Sequence, residues 1–157
     1  MGETARIIIV DDDENIRKVL TTILEDEGFI VDSADTVKEA ITKTRRRYYN
    51  VALIDIRLPD MEGTELLSRI RETTPRMRKI IVTGYPTLQN AIDAVNKGAD
   101  AYIVKPFDVA RTLKTIRAEL EKQKEEKKFS QDKVAAFIET RVRELETKGQ
   151  LAHSRKS

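Results

Sequence analysis

The chain repeatedly enters a short run of β-branched residues and leaves it on a polar one. Ile7-Ile8-Ile9-Val10 ends at Asp11-Asp12-Asp13, and Val51-Ala52-Leu53-Ile54 ends at Asp55. Ile80-Ile81-Val82 ends at Thr83-Gly84, and Ile103-Val104 at Lys105-Pro106. Stretches of helical periodicity separate these runs, so the pattern alternates strand and helix. Strands that are apolar at consecutive positions are buried on both faces, which requires a parallel sheet covered by helices on each side. The expected fold is therefore α/β, a five-stranded parallel doubly wound sheet of (βα)5 order. The carboxyl ends of parallel strands form one rim, where ligands bind. Carboxylates, a hydroxyl and a lysine far apart in sequence would share a single pocket there, and these are residue types that phosphoryl chemistry uses.

Local signals place the elements. Strands are expected near 6–11, 29–34, 50–55, 79–83 and 101–104, and helices near 14–27, 36–47, 64–73, 87–97 and 108–128. Gly28 and Gly98 follow the first and fourth helices as C-terminal caps do. Asp35 or Thr36 suits the start of the second helix, Thr87 the fourth and Asp108 the fifth. Leu113, Ile116 and Leu120 form an apolar stripe that dissolves over Lys122 to Lys128. A second stripe, Val134, Phe137, Ile138, Val142 and Leu145, predicts an additional C-terminal helix from about Ser130. That apolar face exceeds what five βα units need and must find another surface. Gly149 to Ser157 is expected to fray. The domain reading is thus 1–120 for the α/β unit and 121–157 for a helical extension.

Composition narrows the class of function. There is no cysteine, hence no disulfide framework, thiolate nucleophile or thiolate metal site. No apolar run is long enough to span a bilayer, and the N-terminus has no secretory pattern, so a cytoplasmic protein without membrane attachment is expected. Residues 1–108 carry 16 basic and 19 acidic side chains, a net of −3, whereas 109–157 carry 13 and 8, a net of +5. The basic excess alternates with acids from Glu119 to Lys128, the pattern of a solvated helix face, so nucleic acid is not the expected partner. The run Arg45-Arg46-Arg47 reads as a helix end compensating its dipole.

Each site residue also has a structural reading when taken singly. Asp55 suits a solvated strand end, Asp11 to Glu14 a helix N-terminus, Thr83-Gly84 a turn and Lys105 a surface position. Their occurrence together at four strand ends favours the functional reading. Three adjacent acids would be relieved by a hard cation, and Mg²⁺ prefers one or two carboxylates with waters and phosphate oxygens.

The series Val10-Asp11-Asp12, Ile16-Arg17, Asp55, Pro59, Gly63, Thr83-Gly84, Gly98-Ala99 and Lys105-Pro106-Phe107 resembles the receiver domain of two-component response regulators over about residues 5–120. The stretch from Thr83 to Thr87 is most similar to receivers of nitrogen-regulation-type transcription activators. The resemblance implies a flavodoxin-like fold and a role for each matching position. Asp55 would be the phospho-accepting carboxylate. Asp11, Asp12, Asp55 and the backbone carbonyl of Arg57 would bind Mg²⁺. Thr83, Lys105 and the backbone N–H groups of Ile56 and Gly84 would hold the phosphoryl oxygens, and Thr83 with Tyr102 would form the switch. Tyr102 in a fifth strand is also ordinary core. Arg57 and Tyr85 occupy positions that tune hydrolysis. Asp13 adds a third acid to the usual pair, and the flanking Val10 and Ile16-Arg17 assign Asp13 to the helix start.

The resemblance implies a sensor histidine kinase, or a small phosphodonor, as the source of the phosphoryl group. It implies no enzyme acting on a separate substrate, but a signalling switch that catalyses only its own phosphorylation and dephosphorylation. An aspartyl-phosphate-forming phosphatase is the rival, and it would want an acid where Arg57 stands. The expected output is protein–protein signalling by a stand-alone receiver with an unassigned downstream protein. Two variants remain open: a homodimer formed through the C-terminal helix, and the N-terminal part of a transcriptional regulator.

Overall fold

The computed structural model describes residues 4–73, 75–84 and 86–156, with side chains as far as 149. Met1–Glu3, Tyr85 and the only histidine, His153, therefore fall outside what is described of site or side chain. Five strands, β1 (Arg6–Val10), β2 (Ile30–Ala34), β3 (Val51–Asp55), β4 (Arg78–Thr83) and β5 (Ala101–Val104), form one parallel sheet in the order β2-β1-β3-β4-β5. Helices α1 (Glu14–Asp26), α2 (Val37–Arg46), α3 (Gly63–Arg69), α4 (Leu88–Asn96) and α5 (Val109–Lys156) alternate with them. The flavodoxin-like doubly wound architecture expected from the sequence is the one observed.

Strand alternation sorts the core into two layers. Ile8, Val10, Ala52, Ile54 and Ile81 face one way, where Val37 and Ala40 of α2, Leu66 and Leu67 of α3 and Ala94 of α4 pack on them. Ile7, Ile9, Val51, Leu53, Ile80 and Ile103 face the other, against Leu20 and Leu24 of α1 and Ile116 of α5. Both central strands are buried on both faces, which explains their unbroken apolar runs.

The helix ends follow capping chemistry. Asp13 accepts from Asn15 N and Ile16 N at 2.9 and 3.2 Å, Thr36 from Glu39 N at 3.0 Å, and Thr87 from Asn90 N at 3.1 Å. Asp108 accepts from Arg111 N at 3.2 Å. Gly28 and Gly98 sit at φ +92° and +102°, where a side chain would be strained. Lys43, Arg45 and Arg46 occupy the last turn of α2, as the dipole favours.

Two expectations need correcting. The third helix stops at Arg69 rather than near 73, because Ile70 turns to extended backbone. The fifth helix and the additional C-terminal helix are one continuous element, Val109–Lys156, which also runs through the segment expected to fray. Losing the apolar stripe over 122–128 does not end a helix made of Lys, Glu and Gln, which are good helix formers uninterrupted by Gly or Pro. The chain divides into two units, Met1–Gln123 and Lys124–Ser157.

Candidate functional site

The rim at the carboxyl ends of β1, β3, β4 and β5 gathers the predicted residues. Asp11 follows β1 directly and Asp55 is the last residue of β3, both buried, while Asp12 is exposed beside them. Carboxylate oxygens of Asp11, Asp12 and Asp55 all lie within 4.8 Å of one another. Lys105, just beyond β5, reaches across with Nζ 3.0 Å from Asp11 Oδ2 and 3.2 Å from Asp55 Oδ2. Thr83 ends β4 and is buried, and its carbonyl accepts from Lys105 N at 2.8 Å, which fixes the root of the lysine beside it. The Lys105–Pro106 bond is cis.

Several backbone devices hold this arrangement. Asp13 N donates to Asp11 Oδ1 at 2.9 Å, so the residue that caps α1 also orients the buried acid. Arg57 N donates to Asp55 Oδ1 at 3.3 Å. Gly63 N donates to Ile56 O at 2.6 Å, pulling the start of α3 back over the end of β3. A Cβ on Gly63 would lie 1.8 Å from the Asp55 carbonyl oxygen, so this close approach requires glycine. Gly84 leaves open space near Lys105, whose Cβ is 4.0 Å from where a Gly84 Cβ would be.

The electrostatics are those of an acid excess. Burial, then the charge of Asp11, pushes the Asp55 carboxyl above the usual aspartate range, although Lys105 opposes the shift. Burial opposes the charge of Lys105, but its bonds to Asp11 and Asp55 outweigh that and hold the ammonium above its ordinary value. Three clustered carboxylates, two of them bridged by Lys105, make an oxygen-only donor set. Such a donor set fits a hard divalent cation and offers nothing soft to a thiophilic one.

Of the residues proposed from sequence, Asp11, Asp12, Asp55 and Lys105 converge directly. Thr83, Gly84, Ile56 and Arg57 lie at the same strand ends. Tyr102 sits on β5 and packs partly buried against the layer under α2–α4, its hydroxyl buried without a hydrogen-bond partner. Sequence reasoning assigned no role to Arg17 or Asp60. Arg17 Nη1 donates to the Asp11 carbonyl at 2.8 Å, one α1 turn beyond the acids. Asp60 reaches from the β3–α3 loop to accept from Val37 N and Lys38 N, both at 3.0 Å, tying that loop to the N-terminus of α2. Its position in a Pro-Asp loop hinted only at a turn.

A doubly wound five-stranded parallel sheet thus carries a carboxylate trio and a lysine together at one rim. Residues 7–117 match the response regulator receiver domain, and the chain belongs to that family. A receiver domain protein described as CheY-like, from Methanospirillum hungatei JF-1, is 46% identical with a TM-score of 0.76, covering 79% of this chain and 99% of that one. The DNA-binding transcriptional regulator NtrC of Proteus hauseri is 34% identical over 125 residues, which is 80% of this chain and 26% of that protein. The regulatory protein AtoC of Escherichia coli K12 is 32% identical over 124 residues, 79% of this chain and 27% of its own length. The chain thus spans about a quarter of these curated relatives. Two of these relatives are named as regulators, one of them DNA-binding, so the expectation that nucleic acid is not a partner finds no support in them. No helix among the described residues is long and apolar enough to cross a membrane.

Proposed function

We propose that Asp55 accepts a phosphoryl group from the phosphohistidine of a sensor histidine kinase, or from a small phosphodonor, and that this charge switches a protein–protein contact. The observation that carries the reading is Lys105 bridging Asp11 and Asp55 at 3.0 and 3.2 Å within a three-carboxylate cluster. An Asp55 oxygen forms the new bond to phosphorus as the bond to the donor breaks, and the leaving group departs with that electron pair. Asp55 enters ionised, so no general base is needed. A carboxylate is a weak nucleophile, and the acceleration comes from in-line positioning and charge neutralisation.

Mg²⁺ suits the donor set, and Asp11, Asp12, Asp55 and the Arg57 carbonyl would hold it. When bound it neutralises charge between the carboxylates and an anionic donor. Lys105, the Thr83 hydroxyl and the backbone N–H groups of Ile56 and Gly84 would hold the phosphoryl oxygens. Arg57, two residues after Asp55, supplies no carboxylic acid to protonate a leaving group. The site therefore turns over its own phosphoryl group rather than a separate substrate, and acts as a switch rather than an enzyme.

Phosphorylation adds nearly two negative charges and three acceptor oxygens. New charge-assisted bonds from Thr83 and Lys105 contribute about 1.5–3 kcal/mol each. Moving a population from 1:99 to 99:1 takes about 5.5 kcal/mol, so two such contacts do most of the work. As Thr83 moves toward the phosphoryl group, Tyr102 turns inward to find a partner for its orphan hydroxyl. The surface of α4, where Leu88, Ile92 and Val95 are exposed, changes with it.

A receiver that signals through a protein partner is one output. The N-terminal part of a longer transcriptional regulator is the second reading, supported by relatives four times as long as the matched segment. Intact mass after incubation with Mg²⁺ and acetyl phosphate tests the core claim. The expected result is a gain of one phosphoryl group, lost without Mg²⁺ and in Asp55→Asn. A gain that survives Asp55→Asn would assign the acceptor elsewhere.

A further inference from the structure

The loop between β3 and α3 is closed at its base and pinned at its tip. At the base, Arg57 pairs with Glu62 in an isolated antiparallel bridge, and Gly63 N donates to Ile56 O at 2.6 Å. Leu58 and Met61, on the two arms, pack partly buried against the core layer under α2–α4. The tip, Pro59-Asp60, is exposed. From it the Asp60 carboxylate reaches the start of α2, where Oδ1 accepts from Val37 N and Oδ2 from Lys38 N, both at 3.0 Å.

Helix capping is the plain account, since the first turn of a helix has N–H groups to satisfy and its dipole favours an anion. It does not account for where the cap comes from. Thr36 already caps α2 locally, accepting from Glu39 N at 3.0 Å, whereas Asp60 lies 23 residues from Val37 in the loop that carries the Arg57 carbonyl. Val37 and Ala40 are fully buried against the sheet, so the start of α2 is held in place by the core. Asp60 therefore fastens a surface loop to a fixed point with both oxygens of one carboxylate.

We propose that this tether fixes the direction of the Arg57 carbonyl and thereby sets the preference of the rim for Mg²⁺ over Ca²⁺. The inference rests on the reading of that carbonyl as an ion ligand. Asp11, Asp12 and Asp55 offer side-chain oxygens, which turn about their own torsions to meet an ion. A backbone carbonyl points only where its loop holds it. Mg²⁺ demands near-octahedral oxygens at about 2.0–2.1 Å, whereas Ca²⁺ accepts irregular arrangements at about 2.3–2.6 Å. A carbonyl released from its direction therefore costs Mg²⁺ more than Ca²⁺. Asp60 lies outside the carboxylate trio and acts through Arg57, so it is a positioning residue.

Thermal unfolding of the full chain, titrated separately with Mg²⁺ and Ca²⁺, gives both dissociation constants from the rise in Tm. Asp60→Ala is expected to weaken Mg²⁺ about tenfold, the scale of an outer-shell partner, and Ca²⁺ about twofold at most. Asp60→Asn keeps one acceptor oxygen and is expected to fall between Asp60→Ala and the wild type. Thr36→Ala is the structural control: it removes a cap from the same helix end without releasing the loop. Its Tm without ion should fall while both dissociation constants stay. An unchanged Mg²⁺ constant in Asp60→Ala overturns the tether. So does equal weakening of the two ions, or the same loss of Mg²⁺ in Thr36→Ala, either of which makes Asp60 a cap of α2 and nothing more. A wild type that gains no stability from either ion overturns the metal reading of the rim, and the tether with it; a wild type that binds Mg²⁺ as tightly as Asp60→Ala overturns the tether alone.

Discussion

The two ends of the sheet carry the same kinds of side chain and use them oppositely. At the carboxyl end, Asp11, Asp12 and Asp55 cluster, Lys105 bridges two of them, and Asp55 is held above the ordinary aspartate range, by its burial first. At the amino end, Arg78 is buried between Glu119 of α5, 2.9 Å away, and Asp100, 3.6 Å away. Asp100 also takes two bonds from Arg76, at 2.6 and 3.0 Å, and one from Lys79 N at 2.8 Å. Gln123 finishes that end, accepting from Asn50 Nδ2 at 2.9 Å and donating to the carbonyls of Asn50 and Arg76 at 3.0 and 2.8 Å. Charge balanced by partners anchors α5 to the sheet. Clustered carboxylates instead suit a hard cation, which the proposed phosphoryl chemistry would use. Burial alone does not separate an anchor from a site; the balance of charge does.

The largest expected effect breaks the balanced end. Glu119→Ala leaves Arg78 buried beside a single carboxylate and should cost about 3–5 kcal/mol in urea unfolding. Asp55→Asn at the unbalanced end should have the opposite sign and a smaller size, because it removes a carboxylate that burial and Asp11 disfavour. Equal losses at both ends would mean that the rim is as satisfied as the anchor.

Cation binding sharpens the comparison next. At a hundredfold excess over its dissociation constant, Mg²⁺ should stabilise the fold by about 2.7 kcal/mol. Thermal unfolding with and without the ion should show this in the wild type and much less of it in Asp12→Asn, whose exposed side chain has little structural cost.

Acid should then act differently on the two ends. Against burial, the bonds from Arg76 and Lys79 N hold the Asp100 carboxyl below its ordinary value. Its contribution is therefore complete above the unfolded-state pKa of about 3.9 and is lost as pH falls through the lower folded value. Asp55 is raised, so its protonated form favours the fold at low pH, and that stability is lost as pH rises through its folded pKa. In stability–pH curves, Asp100→Asn should flatten the acid limb and Asp55→Asn should steepen it. The rate of phosphoryl gain should begin to fall at a higher pH than a free aspartate would dictate.

The smallest effect concerns the third acid. Asp13→Ala removes the α1 cap and should cost about 1 kcal/mol. Phosphoryl gain should persist, since Asp13 lies outside the carboxylate trio; a loss as deep as that of Asp11→Asn would overturn the register assigned to these three acids.

Much of this was readable from residue order. Consecutive apolar residues force strands into a doubly covered parallel sheet, and that geometry alone collects Asp11, Asp55, Thr83 and Lys105 on one rim. Caps at Asp13, Thr36 and Thr87 and the positive φ of Gly28 and Gly98 follow from local chemistry that a sequence displays. Tertiary structure decided what depends on distant partners. Arg78 and Glu119 look like surface charges, and only the meeting of β4 with α5, 41 residues apart, makes them a buried pair. Asp60 became a cap for a helix that precedes it by more than twenty residues. The continuity of α5 was legible in principle, since Lys, Glu and Gln keep a helix going after its apolar face is gone. Periodicity reports which face of a helix is buried, whereas where that helix stops is set by backbone propensity and by contacts made elsewhere in the fold.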